Sequence, residues 1–224
     1  MTVFQIIKKI LKYAVYAFIA FIFLFFFWRI YTSGHDPKNL KRVEWNDALA
    51  QVYKDNSEQF SIYTQGDGNV MSDDGYFMTN YMHYIPDAKQ LQVTLKYNRS
   101  TLRFLAQNLK LVPFGEEPFV FYLVDDDGKT LSSDYTFFED SYALYRYYRI
   151  TFYGVDISDA ETVKLQVCLN HDVFKEIHGK IYTSSVLTYI ENNKKERGRL
   201  VYSTQQIYDR KIQMQKYDFS RDIK

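Results

Sequence analysis

Gln90–Tyr97, QLQVTLKY, is the stretch on which the fold class turns. Leu91, Val93, Leu95 and Tyr97 fall on one phase of a period of two, and Gln90, Gln92, Thr94 and Lys96 on the other. A helix would scatter these apolar positions around its axis, whereas a strand collects them on one face. This is the pattern of a half-buried antiparallel strand. Thr162–Leu169 (TVKLQVCL) repeats it with Val163, Leu165, Val167 and Leu169. Pro118–Val124 (PFVFYLV) is apolar on both phases, as a central strand is, and runs into Asp125-Asp126-Asp127-Gly128-Lys129, whose Asp-Gly pair signals a hairpin. In Tyr142–Val155 (YALYRYYRITFYGV), Tyr148, Ile150 and Phe152 share the inward phase, and Gly154 is placed to end or bulge the strand. Further strands are expected at Gln59–Thr64, Tyr76–Tyr84 and Lys180–Ile190. Roughly seven to nine strands separated by turn signals predict an all-β fold, an antiparallel β-sandwich that is Ig-like in general architecture, over residues 59–190.

Ahead of the strands the character of the chain changes. Val43–Asp55 (VEWNDALAQVYKD) spaces Trp45, Leu49, Val52 and Tyr53 as a short amphipathic helix would. It lies in a linker, residues 32–58, that opens with the breaker Ser33-Gly34-His35-Asp36-Pro37. Before that, Tyr13–Trp28 (YAVYAFIAFIFLFFFW) carries no charge. Sixteen helical residues rise about 24 Å, short of a roughly 30 Å hydrocarbon layer. Ile10, Leu11, Ile30 and Tyr31 lengthen the segment, and Lys12 and Arg29 can extend their amines toward the headgroups. A transmembrane signal-anchor over 13–31, in contact with membrane lipid, is the expectation. A cleaved signal peptide has the same basic and apolar regions, and Thr32 and Gly34 are small, but no Ala-x-Ala follows the run. Counts of flanking Lys and Arg are nearly tied. Residues 1–12, a short basic tail too small to be a domain, are therefore expected in the cytoplasm and the remainder outside it.

Composition narrows the function classes. Residues 1–42 carry seven Lys/Arg against one acid, residues 43–190 twelve against 21, and residues 191–224 nine against five. An acidic body between basic ends, with a net charge of +1, gives no reason to expect a nucleic-acid partner. The lone cysteine, Cys168, excludes an intramolecular disulfide and a cysteine zinc cluster. It sits opposite Val167 and Leu169 in phase and reads as a small packed residue. Residues 191–224 form a basic C-terminal extension, in which Glu191–Arg199 reads as a loop. Ser203-Thr204-Gln205-Gln206 fits a helix capping box or a strand extension equally.

Chemistry-bearing motifs are sparse. Nucleophile-elbow, P-loop and dinucleotide fingerprints are missing, as is any H-E-x-x-H, and no cofactor is expected. His35, His83, His171 and His178 read as surface residues. Asp125, Asp126 and Asp127, with Asp73-Asp74-Gly75, offer the hard oxygens that Ca²⁺ uses, but turn chemistry accounts for both clusters. Asn98-Arg99-Ser100 is a glycosylation sequon in a secretory context. The best candidate for recognition is the outward phase of 142–155, where Tyr145, Tyr147, Arg149 and Tyr153 lie opposite Tyr148, Ile150 and Phe152. Tyr and Arg are enriched at binding hot spots, though such residues also serve as cross-strand pairs on an ordinary sheet face. These readings lead to a membrane-anchored extracytoplasmic module that binds protein or an envelope polymer. The alternatives are an envelope hydrolase built on convergent carboxylates, and a single-pass accessory subunit of a larger membrane complex.

Overall fold

The alternating segments become strands whose registers follow from their apolar phase. The computed structural model describes residues 3–34, 38–65, 70–71, 77–98, 119–141, 145–169, 195–196 and 199–223. The expected strand at 180–190, the Asp73-Asp74 pair, His35, His171, His178 and most of the sequon lie outside these residues. In chain order the strands are β1 (Tyr63–Thr64), β2 (Val70–Met71), β3 (Phe77–Ile85), β4 (Gln90–Asn98), β5 (Phe119–Asp125) and β6 (Thr130–Ser132). They continue with β7 (Tyr135–Ser141), β8 (Tyr145–Tyr153), β9 (Thr162–Leu169), β10 (Lys195–Glu196), β11 (Arg199–Asp209) and β12 (Gln215–Lys216). Among the described residues they make two antiparallel sheets. One runs β12-β1-β3-β4-β8-β7, with β2 beside β3; the other runs β10-β11-β9-β5-β6.

Register decides which side chains meet. In β4 and β8, Leu91 faces Phe152, Val93 faces Ile150 and Leu95 faces Tyr148. These join Phe121, Leu123, Val163, Leu165 and Val167 of the second sheet in one apolar cluster, in which Leu91, Leu95, Phe121 and Phe152 are completely buried. At one end of this core Tyr97 stacks on Tyr148 at 5.0 Å, and Phe121 meets Tyr148 edge-on at 5.4 Å. The Tyr97 hydroxyl donates to Glu139 Oε1 (2.7 Å), and burial holds its phenol well above the ordinary range. The Asp-Gly hairpin forms as read, with Gly128 at φ +71° between β5 and β6, and Gly154 ends β8 at φ +67°. Only glycine adopts that conformation without strain.

Two expectations are corrected and one left open is decided. The predicted strand at 59–64 shrinks to β1, because Phe60 and Ile62 turn their side chains into a second, smaller apolar cluster. The helix predicted from Val43 begins only at Asp47 as α2 (Asp47–Asp55), capped by Asn46, whose side chain accepts the Leu49 amide (2.9 Å). Val43–Trp45 instead belong to no helix or strand. The ambiguous Ser203–Gln206 stretch is strand, part of β11, and pairs with β9 from Val201 to Asp209 across two bulges.

The N-terminal helix α1 (Val3–Gly34) is a compact unit distinct from the β body. It is long and apolar enough to cross a membrane: Phe4–Tyr31 runs for 28 residues, and its most apolar 18-residue stretch has a mean hydropathy of 2.3 and is not buried. At 1.5 Å per residue the 28 residues rise about 42 Å.

Candidate functional site

The polar phase of β4 carries a second surface, and it is not open. Gln90, Gln92, Thr94 and Lys96 are each no more than 7% exposed. Across from them in β8 stand Tyr153, Thr151, Arg149 and Tyr147, and in β3 His83 stands opposite Gln92. What covers this face is the segment leading into α2, residues 40–46, together with the C-terminal residues 217–222.

The cover is held almost entirely by its main chain. Thr94 donates to the Leu40 carbonyl (3.3 Å), and His83 Nε2 and the Tyr217 hydroxyl both lie 3.2 Å from the Lys41 carbonyl. Arg149 Nη2 donates to the Arg42 carbonyl (3.4 Å), and the Val43 amide donates to Asp222 Oδ2 (3.2 Å). Gln92 grips Glu44 from both sides, accepting its amide (2.7 Å) and donating to its carbonyl (2.9 Å). Five consecutive residues are thus read through backbone groups, each of which must find a partner when removed from water. Leu40 and Val43 are buried beneath, and Trp45 joins Tyr53, Phe60 and Phe219 in an aromatic cluster with ring separations of 5.2–6.0 Å. Tyr217 also donates to Asp222 Oδ2 (2.8 Å), and Asp222 Oδ1 lies 3.8 Å from Arg42 Nε.

Between cover and sheet lies a recess lined by Arg42, Glu44, His83, Gln92, Thr94, Arg149 and Thr151, with room for about one water molecule. Burial raises the Glu44 carboxyl above its usual range, although Arg149 and a hydrogen bond from Thr151 pull the other way. Burial drives His83 down to about 4. A carbonyl only accepts, so the His83 nitrogen facing Lys41 carries the proton; the other, Nδ1, is buried with no hydrogen-bond partner among the described residues. The surface-histidine reading therefore fails at His83, which is 4% exposed.

The tyrosine–arginine face is where the sequence put it in phase, but it is not open along its length. Tyr147 is 2% exposed, and the Lys96 amine lies over the rings of Tyr145 (4.3 Å) and Tyr147 (5.8 Å). Arg149 is half-buried against the cover, while Tyr153, also half-buried, meets the Thr136 hydroxyl at 3.0 Å. The sequence reading missed Phe138, opposite Arg149 in β7 and 57% exposed. Its signal was present in YTFFEDS, where either Phe137 or Phe138 must face outward.

Asp125 and Asp126 are taken up by backbone amides of the fold. Asp125 Oδ1 accepts the Lys129 amide (2.7 Å), and Asp126 Oδ1 accepts the Glu161 and Thr162 amides (3.1 and 3.5 Å), tying the hairpin to the start of β9. Among the described residues no three His, Cys, Asp or Glu side chains converge as a metal centre would need. Cys168 is buried in β9 and forms no disulfide. No protein-family model, curated protein or solved structure matches the chain.

Proposed function

We propose that this chain is a membrane-tethered β-sandwich module, Ig-like in general arrangement, that faces out of the cytoplasm and acts by binding a protein or an envelope polymer. The observation that carries the binding role is the outer edge of β7–β8. Phe138 is exposed beside Arg149, and Thr136, next on that face, meets the Tyr153 hydroxyl, while residues 40–46 occupy the neighbouring part of the face over β4. An apolar ring flanked by a guanidinium and hydroxyls is the usual make-up of a protein-binding hot spot. The tether is α1, the apolar helix that precedes the body in the chain. The polar groups of the recess favour a structural role over hydrolysis. Asp222 is taken up by Val43 and Tyr217, and Glu44 by Thr151.

Two measurements test the reading. Ser133 is exposed and Cys168 is buried, so Ser133→Cys should react with a membrane-impermeant maleimide on intact cells against little background. Reaction only after lysis would overturn the outward orientation. A photo-crosslinker at Thr136 should then capture a partner in intact membranes, and Phe138→Ser should abolish the adduct without unfolding the body. An adduct indifferent to Phe138 would move recognition to another surface.

A further inference from the structure

We infer that residues 40–44 are a releasable strap and that proton uptake by His83 releases it from the outer face of β3, β4 and β8. This goes beyond the binding reading and holds whether or not Phe138 contacts a partner. Its basis is geometric. The first two strap residues close a 3-10 turn (Lys38–Lys41) and the other three belong to no helix or strand; side chains of β3, β4, β8 and the C-terminal segment grip its main chain one residue at a time. Such a grip is made or lost largely as a unit, since pulling one residue away strains the bonds of its chain neighbours. Residues 40–44, once free, would span at most about 17 Å at roughly 3.4 Å per residue.

His83 is the group at the centre of the grip that is intolerant of acid. Its ring packs on Tyr217 at 4.6 Å, and its proton is committed to the Lys41 carbonyl. A second proton, on Nδ1, would enter a site with no acceptor in hydrogen-bond reach among the described residues and bring a charge with it. The groups facing the ring come from every element around it. The strap supplies Arg42, Glu44 and Lys41, the last with its amine turned 5.3 Å from the Tyr81 ring. From β8 comes Arg149, from the C-terminal segment come Tyr217 and Asp222, and β4 contributes only the uncharged Gln92 and Thr94. Asp222 would welcome the charge, but its carboxylate already serves Val43 and Tyr217; Arg149 opposes it.

The sign follows from the two states of the ring. Burial holds His83 at about 4 in the strapped state, against its ordinary 6.5 in water. The strapped state therefore binds fewer protons, is at full strength above 6.5 and weakens as the pH falls toward 4. Between pH 7 and pH 5 these values shift the balance about twentyfold toward release. Glu44 works in the opposite sense, because its raised pKa favours the strapped state as acid is added, and Glu44→Gln removes that contribution.

The test is amide exchange at Val43 and Glu44 in the full chain in lipid nanodiscs, corrected for intrinsic exchange at each pH. Protection should fall about twentyfold from pH 7 to pH 5 in the wild type, and at least as far in Glu44→Gln. It should move less than about twofold in His83→Gln, while Phe121 and Val167 in the core stay protected throughout. Unchanged protection in the wild type overturns the inference, and so does a loss shared equally by the core. If His83→Gln does not fold, Trp28→Phe leaves Trp45 as the sole tryptophan. Its emission should shift to the red between pH 7 and pH 5, and a fixed spectrum would overturn the inference as surely.

Discussion

The two faces of β4 are equally buried and differ in almost everything else. Inward, Leu91, Val93, Leu95 and Tyr97 meet the second sheet in a close-packed apolar cluster. Outward, Gln90, Gln92, Thr94 and Lys96 lie beneath residues 40–46 and the aromatic and basic side chains of β8. The inner face is held by non-directional burial, which scales with area and tolerates rearrangement. Directional bonds hold the outer face, each worth little net while made and costly when one partner is left alone. A polar phase along a strand therefore specifies which kind of contact the face makes, and leaves open whether water or protein makes it.

If that contrast is real, the largest loss should come from the inner face. Phe121→Ala, in a completely buried position among Tyr135, Phe137 and Tyr148, should cost about 3–5 kcal/mol in urea unfolding of the β body. A cost near that of a surface substitution would mean the two sheets do not share the core described. One step down is the outer face. Gln92→Ala strands the Glu44 amide and carbonyl together, and about 1–3 kcal/mol should be lost. The same variant should speed exchange at Glu44 more than at Phe121. Uniform acceleration would show that the strap and the core are not separable.

Much of the inner face was legible in the residues, and little of the outer one. Period-two alternation in QLQVTLKY and TVKLQVCL gave strands at 90–97 and 162–169, which the structure places at 90–98 and 162–169. The phase of Tyr148, Ile150 and Phe152 was readable for the same reason, since burial leaves its mark on residue type. The strap left no such mark. Its bonds run from its main chain, which every residue has, so nothing in Leu40–Glu44 announces what Thr94, His83, Arg149 and Gln92 do with it. The bond from Val43 to Asp222 closes 179 residues of chain, beyond the reach of any local pattern. Hence the tyrosine–arginine face was assigned to the correct side of β8 but to the wrong medium at Tyr147. His83 was misread for the converse reason: one histidine between tyrosines gives no hint of a carbonyl brought from 42 residues away.

A smaller effect sharpens the contrast within the strap itself. Tyr217→Phe keeps the ring against His83 and removes only the hydroxyl, which serves Asp222 and the Lys41 carbonyl. The expected loss is about 0.5–1.5 kcal/mol, read by urea unfolding, with enhanced exchange at Val43. Burial and the neighbouring Asp222 keep this phenol above its ordinary range, so the effect should be flat from neutral pH up to about 10. A loss that grows with pH across that interval would show Tyr217 ionising, and the bond to Asp222 could not then be the one described.

The smallest stability effect belongs to the one large apolar side chain that the outer face of β7 leaves in solvent. Phe138→Ser removes a ring that is 57% exposed and stands across from Arg149, in a strand paired along its length with β8. Exposed positions usually change stability by no more than about 0.5 kcal/mol, and losing one cross-strand neighbour adds roughly 0.2–1. Serine is also a weaker strand former than phenylalanine, which pushes in the same direction. A total under about 1.5 kcal/mol in urea unfolding, with the capture of a partner at Thr136 abolished, separates recognition from folding at this edge. A loss comparable to that of Phe121→Ala would instead mean that Phe138 is covered by another part of the chain. The edge of β7–β8 would then belong with the strapped region, as a buried face made of residues that look exposed.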